Sequence, residues 1–493
     1  RILNDSGIKK VIRQSEIAQF FENRSRYSED FTHNIEPESS AYCIFTSGST
    51  GVPKGVVNIH SGLYNRLLWM QSYLGSESNG IYFQKTPYTF DVSVWEFLLP
   101  LMCGGTLVVC APEGHKDPEY LKQRIESEGI SVIHFVPSML GAFLEHMNKG
   151  DVSGLKHLIC SGEELPSRMV EKVREKMPQV RIHNLYGPTE ASIDVTALDV
   201  TDSDVSHGVT IGRPVWNTSI YIVDNKMNLL PAGIPGELLI SGVQVAKGYL
   251  NLPELTNERF VADPFKEGSK IYRTGDVAYW KPDGTIQYMG RIDSQVKIRG
   301  NRIELGEVEK VLLEYDGIKQ AVVSSKKVDN ENVLVAYYLT EIGSEVDKVE
   351  LRKYLRAKLP DYMQPDFYVL LKSIPMTSSG KVDRNALPDI IENDLIRRRY
   401  VAPKNETEEK LIILWKEVLG VEEIGVEDDF FELGGHSLKI IKLYELIKTN
   451  LSKDINVTHL FSMTTIRLQA QSINKYSANS IEEDNVSIVE IAF

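Results

Sequence analysis

Four cysteines in 493 residues are too few, and at Cys43, Cys103, Cys110 and Cys160 too scattered, for a disulfide framework. None forms a Cys-x-x-Cys pair, which argues against a zinc ribbon. The expectation is a reducing, cytoplasmic setting. No apolar run reaches the ~18 residues of a membrane helix, and the most apolar stretch, Leu98–Val109, is broken by Gly104 and Gly105. The first residues, RILNDSGIKKVIRQSEIAQF, lack the uninterrupted apolar segment of a signal peptide. With no initiator Met, the chain is expected to begin inside a longer one. Basic residues (55) are outnumbered by acidic ones (68), a formal charge of -13. That balance argues against bulk nucleic-acid binding and against docking on an anionic membrane. A composition of 42% hydrophobic and 25% charged residues excludes a collagen-like, low-complexity or mainly disordered chain.

The length suggests about three domains. From Ile44 to about Gly290, short β-branched runs (IYFQKTP, GTLVVC, SVIHFVP, HLICSG, SIYIVD) alternate with amphipathic stretches (YLKQRIESEG, PSRMVEKVREKM). This alternation predicts an α/β architecture with largely parallel sheet. GELLISG and GTIQYMGR read as antiparallel strands. VEKVLLEY, AVVSSKKV, VLVAYYL and VELRKYLRAKL predict a small α+β domain, followed by a charged connector. From Thr407 onward, Leu411, Ile412, Trp415 and Val418 fall at near-helical spacing, as do apolar residues in two later segments. The prediction there is a small all-α domain. The last 94 residues, from Tyr400, hold 16 Asp+Glu and 9 Lys+Arg, so more than half of the acidic excess sits in them. The tail NSIEEDNVSIVEIAF reads as a solvated end.

The strongest local signal is Thr46-Ser-Gly-Ser-Thr-Gly-Val-Pro-Lys54-Gly, which follows the apolar run AYCIF. Gly48, Gly51 and Gly55 let backbone N–H groups turn toward phosphate oxygens. Thr46, Ser47, Ser49 and Thr50 add hydroxyls, and Lys54 adds a cation. The order is not G-x-x-x-x-G-K-[ST], so the loop is not a P-loop. A Lys and a Pro at fixed places do not suit a Gly/Ser linker.

TSGSTGVPKGV resembles the nucleotide signature of the adenylate-forming superfamily: acyl-CoA synthetases, luciferases and adenylation domains of nonribosomal peptide synthetases. FDVSVWEFLLPLMCGG, NLYGPTEASIDVT, GELLISGVQVAKGYL, YRTGDVAYWKPDG, GRIDSQVKIRGNRIELGEVE and PMTSSGKVDRNAL continue the resemblance in the family's order, and DDFFELGGHSLKIIKL resembles a carrier-protein attachment motif. The implied layout is a large α/β adenylation subdomain at 1–292 lacking its N-terminal part, a small α+β subdomain at 293–390, a linker at 391–404, a four-helix peptidyl carrier domain at 405–476 and an acidic tail or linker at 477–493. The implied reaction joins an amino acid to ATP as aminoacyl-AMP, releases pyrophosphate, and passes the acyl group to a thiol. Such chemistry brings anions together and rests on positioning and electrostatics.

By this resemblance the 46–54 loop (Thr46, Ser47, Gly48, Ser49, Thr50, Gly51, Lys54) holds the departing phosphates. Glu190 holds Mg²⁺, a hard ion suited to carboxylate and phosphate, and Thr189 contacts the α-phosphate. Tyr186 stacks on adenine with Gly162, Asn184 and Gly187 nearby. Asp276 accepts the ribose hydroxyls, and Arg291 lies beside it. Lys381 reaches the substrate carboxylate and α-phosphate. Asp293 marks the hinge between the two subdomains.

The motifs also align ten pocket positions: Asp91, Val92, Trp95, His134, Ile159, Ser161, Leu185, Ile193, Asp194 and Lys381. A buried Asp91 facing substrate calls for a cation, and an α-ammonium supplies one, whereas a fatty or aryl acid leaves it unpaired. Trp95 and Leu185 restrict volume, while His134, Ser161 and Asp194 offer hydrogen bonds. The string resembles the family pattern for serine, so L-serine is the expected substrate, with threonine or another small polar amino acid as the alternative. Ser437, after two glycines at a helix start, is the implied attachment point for 4'-phosphopantetheine, whose phosphodiester suits a helix N-terminus. The implied partners are a phosphopantetheinyl transferase, condensation or other synthetase domains, and a small MbtH-like activator, in antibiotic or siderophore biosynthesis. Two other readings stand beside this one: an acyl-CoA or aryl-acid ligase of the same superfamily, and an inactive fragment acting as carrier or docking scaffold.

Overall fold

The computed structural model describes residues 35–47, 53–75, 80–292, 295–298, 301–328, 331–341, 344, 346–376, 382–391, 394, 400–435, 437–451, 460 and 462–476. Packing divides the chain into two compact units, one ending at Glu307 and one starting at Val308. The expected tail at 477–493 lies outside the described residues, as does much of the expected linker.

In the first unit, β1 (Ser40–Thr46) and β2 (Lys54–Ile59) form an antiparallel pair that sets Thr46 opposite Lys54. Helix α1 (His60–Leu74) follows and stops at Gly75, whose φ of 62° is the left-handed value a helix C-terminus favours. Then β3 (Ile81–Gln84), α2 (Val92–Cys103), β4 (Thr106–Val109), α3 (Pro118–Ser127), β5 (Val132–Phe135), α4 (Pro137–Glu145), β6 (His157–Cys160), α5 (Ser167–Lys176) and β7 (Arg181–Tyr186) alternate as the sequence pattern predicts. Strands β3 to β7 pair in parallel, and β8 (Thr196–Asp199) and β9 (Arg213–Pro214) extend the sheet antiparallel, giving the order β4-β3-β5-β6-β7-β8-β9.

All four residues of β5, VIHF, are buried, as expected of a parallel strand covered on both faces. One set of core residues includes Phe83, Leu121, Ile133, Phe135 and Phe143; another includes Leu67, Met70, Trp95, Leu99, Ile159 and Leu185. The start of α3 is fixed by its own sequence: the Asp117 carboxylate accepts the Tyr120 N–H at 3.0 Å, and Pro118 occupies the first turn.

A second sheet is antiparallel: β10 (Thr218–Val223), β11 (Gly236–Gly242), β13 (Phe260–Ala262), β14 (Lys270–Trp280) and β15 (Ile286–Arg291), while β12 (Gly248–Tyr249) joins β2. The pairing of β14 with β15 sets Asp276 opposite Arg291. A hairpin, β16 (Gln295–Ile298) with β17 (Asn301–Glu304), precedes α6 (Leu305–Leu313).

The second unit holds β18 (Ile318–Val328), β19 (Glu331–Thr340), α7 (Lys348–Lys358) and β20 (Phe367–Leu370), the small α+β sheet predicted, with order β18-β19-β20. Among the described residues three helices follow: α8 (Glu406–Leu419), α9 (Ser437–Leu451) and α10 (Ile466–Tyr476). Trp415 is fully buried, lies edge-on to Phe430 at 4.9 Å, and donates its Nε1–H to Gln469 of α10 at 3.0 Å. Among the described residues, no helix is long and apolar enough to cross a membrane.

Candidate active site

The residues singled out from the sequence gather where the parallel strands end. Asp91 precedes α2, His134 is the third residue of β5, Ser161 follows β6, and Leu185 and Tyr186 close β7. Register sets His134 opposite Ile159. In open α/β sheets the carboxyl ends of the strands are where a crevice forms and ligands bind.

The site is crowded with enclosed carboxylates. Glu190 is 0% exposed and Asp194 2%, and each has its own cation. Arg66, itself 0% exposed, donates from Nη2 to Asp194 Oδ2 at 2.6 Å, and its guanidinium lies 4.9 Å from the Trp69 ring centre. Lys54 Nζ lies 3.1 Å from Glu190 Oε1 and donates to the Tyr249 hydroxyl at 3.1 Å, while that hydroxyl donates to Glu190 Oε1 at 2.9 Å. Asp91 has no such cation among the described residues. Burial pushes its carboxyl up to about 7; a Thr189 hydroxyl contact opposes the rise, and Asp194 and Glu190 add to it. Among the described residues, Asp91 is the one of these three acids without an ion-pair partner.

His134 Nε2 and Ser161 Oγ bond at 2.9 Å. Burial, then Lys85 and Arg66, hold His134 well below the usual histidine range, so the imidazole is neutral. Its Nδ1 and the Nε1 of Trp95 are buried without a hydrogen-bond partner. Lys85 lies 4.4 Å from the Phe135 ring centre. Glu96 of α2 accepts from Thr86 N and Oγ1 at 2.9 and 2.7 Å, and from Lys85 N at 3.2 Å. These bonds tie the segment before Asp91 to α2.

Between Gly187 and Asp194 the backbone is tight. A Cβ on Gly187 would lie 2.4 Å from the Ile193 carbonyl oxygen and 2.5 Å from Asp194 Cα, so this position requires glycine. Ser192 and Ile193 have φ of 53° and 80°. For a β-branched residue the second value is strained.

On the nucleotide side, the Tyr186 hydroxyl donates to Asp276 Oδ2, and Arg291 donates to Asp276 Oδ1 at 2.6 Å and to the Thr274 carbonyl at 2.9 Å. Burial and then Asp276 drive the Tyr186 phenol well above its usual range, so it stays a donor. Each Asp276 oxygen keeps further lone-pair capacity for a diol. Asn184 donates its amide to the Thr210 carbonyl at 2.8 Å, Gly162 takes a φ of 87°, and the Thr46 hydroxyl is buried with no partner. Gly48, Ser49, Thr50, Gly51, Asp293 and Lys381 lie outside the described residues, as does the side chain of Ser437.

The residues present fit the groups the reaction needs. Among the described residues no group of three or more His, Cys, Asp or Glu could hold a metal alone. A magnesium ion arriving with the phosphates needs only one or two carboxylates, and Glu190 is one. In the carrier segment, Asp429 Oδ1 accepts the Phe431 and Glu432 N–H groups at 2.9 and 3.3 Å. A Cβ on Gly435 would lie 2.2 Å from Phe430 Cδ1. Only glycine therefore lets the turn run on to α9, which begins at Ser437.

Sequence reasoning missed Arg66, Tyr249 and Gln244. Tyr249 and Gln244 stand in a segment that the motif reading quoted, GELLISGVQVAKGYL, without a role; Arg66 has no motif signal.

Comparison with known proteins agrees with this geometry. Residues 3–250 match the family described as AMP-binding enzyme, 307–381 the AMP-binding enzyme C-terminal domain, and 409–473 the phosphopantetheine attachment site. The chain is 40% identical over 502 aligned residues to gramicidin S synthase 2 of Aneurinibacillus migulanus, covering 98% of itself and 11% of that protein. It is 43% identical over 427 residues to tyrocidine synthase 3 of Brevibacillus parabrevis, covering 86% of itself and 6% of that protein. It thus spans only a small part of these relatives. Among solved structures it resembles holo-PA1221, "an NRPS protein containing adenylation and PCP domains", with a TM-score of 0.76 and 25% identity over 91% of this chain and 75% of that one.

The buried Arg66–Asp194 pair yields a stability prediction. Arg66→Met strands a buried carboxylate and is expected to cost ~3–5 kcal/mol. Adding Asp194→Leu should recover most of that loss. Calorimetric midpoints of the single and double variants check it; an unchanged midpoint for Arg66→Met counts against the pairing.

Proposed function

We propose, for a chain that belongs to the AMP-binding enzyme family and joins an adenylation domain of the nonribosomal peptide synthetase type to a carrier domain, that it activates L-serine with ATP and loads it onto its own carrier. The observation that carries this reading is Asp91, a partly buried carboxylate with no ion-pair partner among the described residues, beside two that have one. An α-ammonium answers it; a fatty or aryl acid leaves it unpaired. The partnerless nitrogens of Trp95 and His134 and the Ser161 hydroxyl suit a short side chain that can donate and accept one hydrogen bond. Such a site discriminates strongly against an analogue lacking the hydroxyl.

The amino acid carboxylate attacks the α-phosphorus of ATP; a P–O bond forms there, and the bond to pyrophosphate breaks. Lys54 and the hydroxyls of the 46–50 loop bind the departing phosphates, and Thr189 meets the α-phosphate. Tyr186, Asp276 and Arg291 orient the nucleoside, with Gly162, Asn184 and Gly187 shaping its surroundings. Mg²⁺, held by Glu190, neutralises phosphate charge when bound. Lys381 meets the carboxylate and α-phosphate as the adenylate forms, and Asp293 is the hinge through which the small subdomain turns afterward. Ser437 would carry phosphopantetheine, installed by a phosphopantetheinyl transferase; its thiol would form the thioester as the acyl–phosphate bond breaks and AMP leaves. Condensation or other synthetase domains, and a small MbtH-like activator, are the proposed partners.

Exchange of labelled pyrophosphate into ATP, run against all common amino acids, tests the reading. Serine should give the largest signal; a large apolar amino acid giving it overturns the serine assignment, and no amino-acid-dependent exchange overturns the activity. With an acid midpoint near 7, the ammonium-binding form of Asp91 is lost as pH falls. kcat/KM for the amino acid should drop roughly fivefold from pH 7 to pH 6. Asp91→Asn should lower activity and flatten that slope; a slope that persists places the titration elsewhere. Ser437→Ala should leave adenylate formation intact and abolish covalent loading, as read by the mass of the intact holo protein after ATP and serine. Loading that survives removes Ser437 from the role.

A further inference from the structure

The strained turn that bears Glu190 and Asp194 is held by a side chain from another motif. Gln244 is 1% exposed. Its amide Nε2 donates to the carbonyl oxygens of Asp194 at 2.9 Å, Ala191 at 3.2 Å and Ser192 at 3.3 Å. Its Oε1 accepts from Asn65 Nδ2 at 2.8 Å, and its own carbonyl accepts from the Ser192 hydroxyl at 3.0 Å. Two residues on, the Ala246 N–H donates to the Glu190 carbonyl at 2.9 Å. Thus one segment, 244–246, fixes both ends of a turn whose middle residues have positive φ. Strain of that kind, of order 1–3 kcal/mol per residue, persists only where neighbours over-determine the backbone. Asn65 sits next to Arg66, which takes the Asp194 carboxylate, so the network also connects the turn to α1.

We infer that Gln244 is a positioning residue that sets Asp194 and Glu190 in register. It thereby couples amino-acid selection to the handling of Mg·ATP. The inference rests on the adenylation reading above. Asp194 belongs to the side-chain pocket and Glu190 to the phosphate side, and the two are four residues apart on one turn. Without the Gln244 donors, the Ala191 and Asp194 carbonyls lose that partner, the Ser192 carbonyl keeps only the Asp194 N–H, and the turn relaxes toward ordinary φ, which moves both carboxylates together.

The test uses the holo protein and two variants. Gln244→Leu removes the donors. Gln244→Glu keeps the volume but turns a donor into an acceptor facing three carbonyls. Serine-over-alanine discrimination in pyrophosphate exchange should fall by about tenfold, the worth of one such hydrogen bond, and half-saturation should move to higher Mg²⁺. Calorimetry of each variant identifies the folded one to be measured, and Ser192→Ala, which removes the hydroxyl's bonds to the Gln244 carbonyl and Asn58, should shift both readouts in the same sense. If activity falls equally for all amino acids, in step with the melting temperature and with the Mg²⁺ dependence unmoved, Gln244 is structural only and the inference fails. If discrimination shifts without the Mg²⁺ dependence, the coupling fails. If the unaltered protein shows no amino-acid-dependent exchange, it is the adenylation reading that has failed instead.

Discussion

Three carboxylates, two buried and one partly buried, share one corner, and the surrounding chain is organised by the need to neutralise them. An isolated buried charge is too costly to keep, so Glu190 draws Lys54 from the start of β2 and Asp194 draws Arg66 from α1. Those two pairs fix β2 and α1 against the turn that ends the parallel sheet. The third acid, Asp91, has no ion-pair partner among the described residues, and desolvation raises its proton affinity. On the proposed reading, a substrate that brings a positive group would complete the set.

The nucleotide side follows a different logic. Tyr186 and Arg291 occupy one oxygen each of Asp276, so the carboxylate is oriented before any ligand arrives. Preorganised groups lose little on binding and need not rearrange as charge moves. The antiparallel register that sets Asp276 opposite Arg291 makes this orientation a property of the sheet.

Much of this was legible in the sequence because the chemistry is local there. Strand runs such as SVIHFVP and the helical spacing around Trp415 carry their own periodicity, and Lys54, Glu190 and Asp276 sit in motifs whose residue types suit phosphate, cation and diol. Once the resemblance aligned Asp91 with a pocket position, its residue type called for a cation. The residues that escaped act at a distance: Arg66 reaches Asp194 across 128 positions, and Tyr249 reaches Glu190 across 59. No local pattern records such pairings. The positive φ of Ile193 was likewise invisible, because a β-branched residue does not announce a left-handed backbone and only the neighbours that enforce it do.

The way the pocket walls are mounted has an evolutionary consequence. Gly187 leaves no room for a side chain, and the turn it serves carries the proposed magnesium ligand Glu190 together with two pocket positions, Ile193 and Asp194. His134, Ile159, Ser161 and Leu185, by contrast, are carried by the strands or the residues just beyond them, in a backbone fixed by its ladder. Side chains there can be exchanged without moving the backbone of that turn. Descendants of such a scaffold can therefore diversify what they select while inheriting the reaction unchanged.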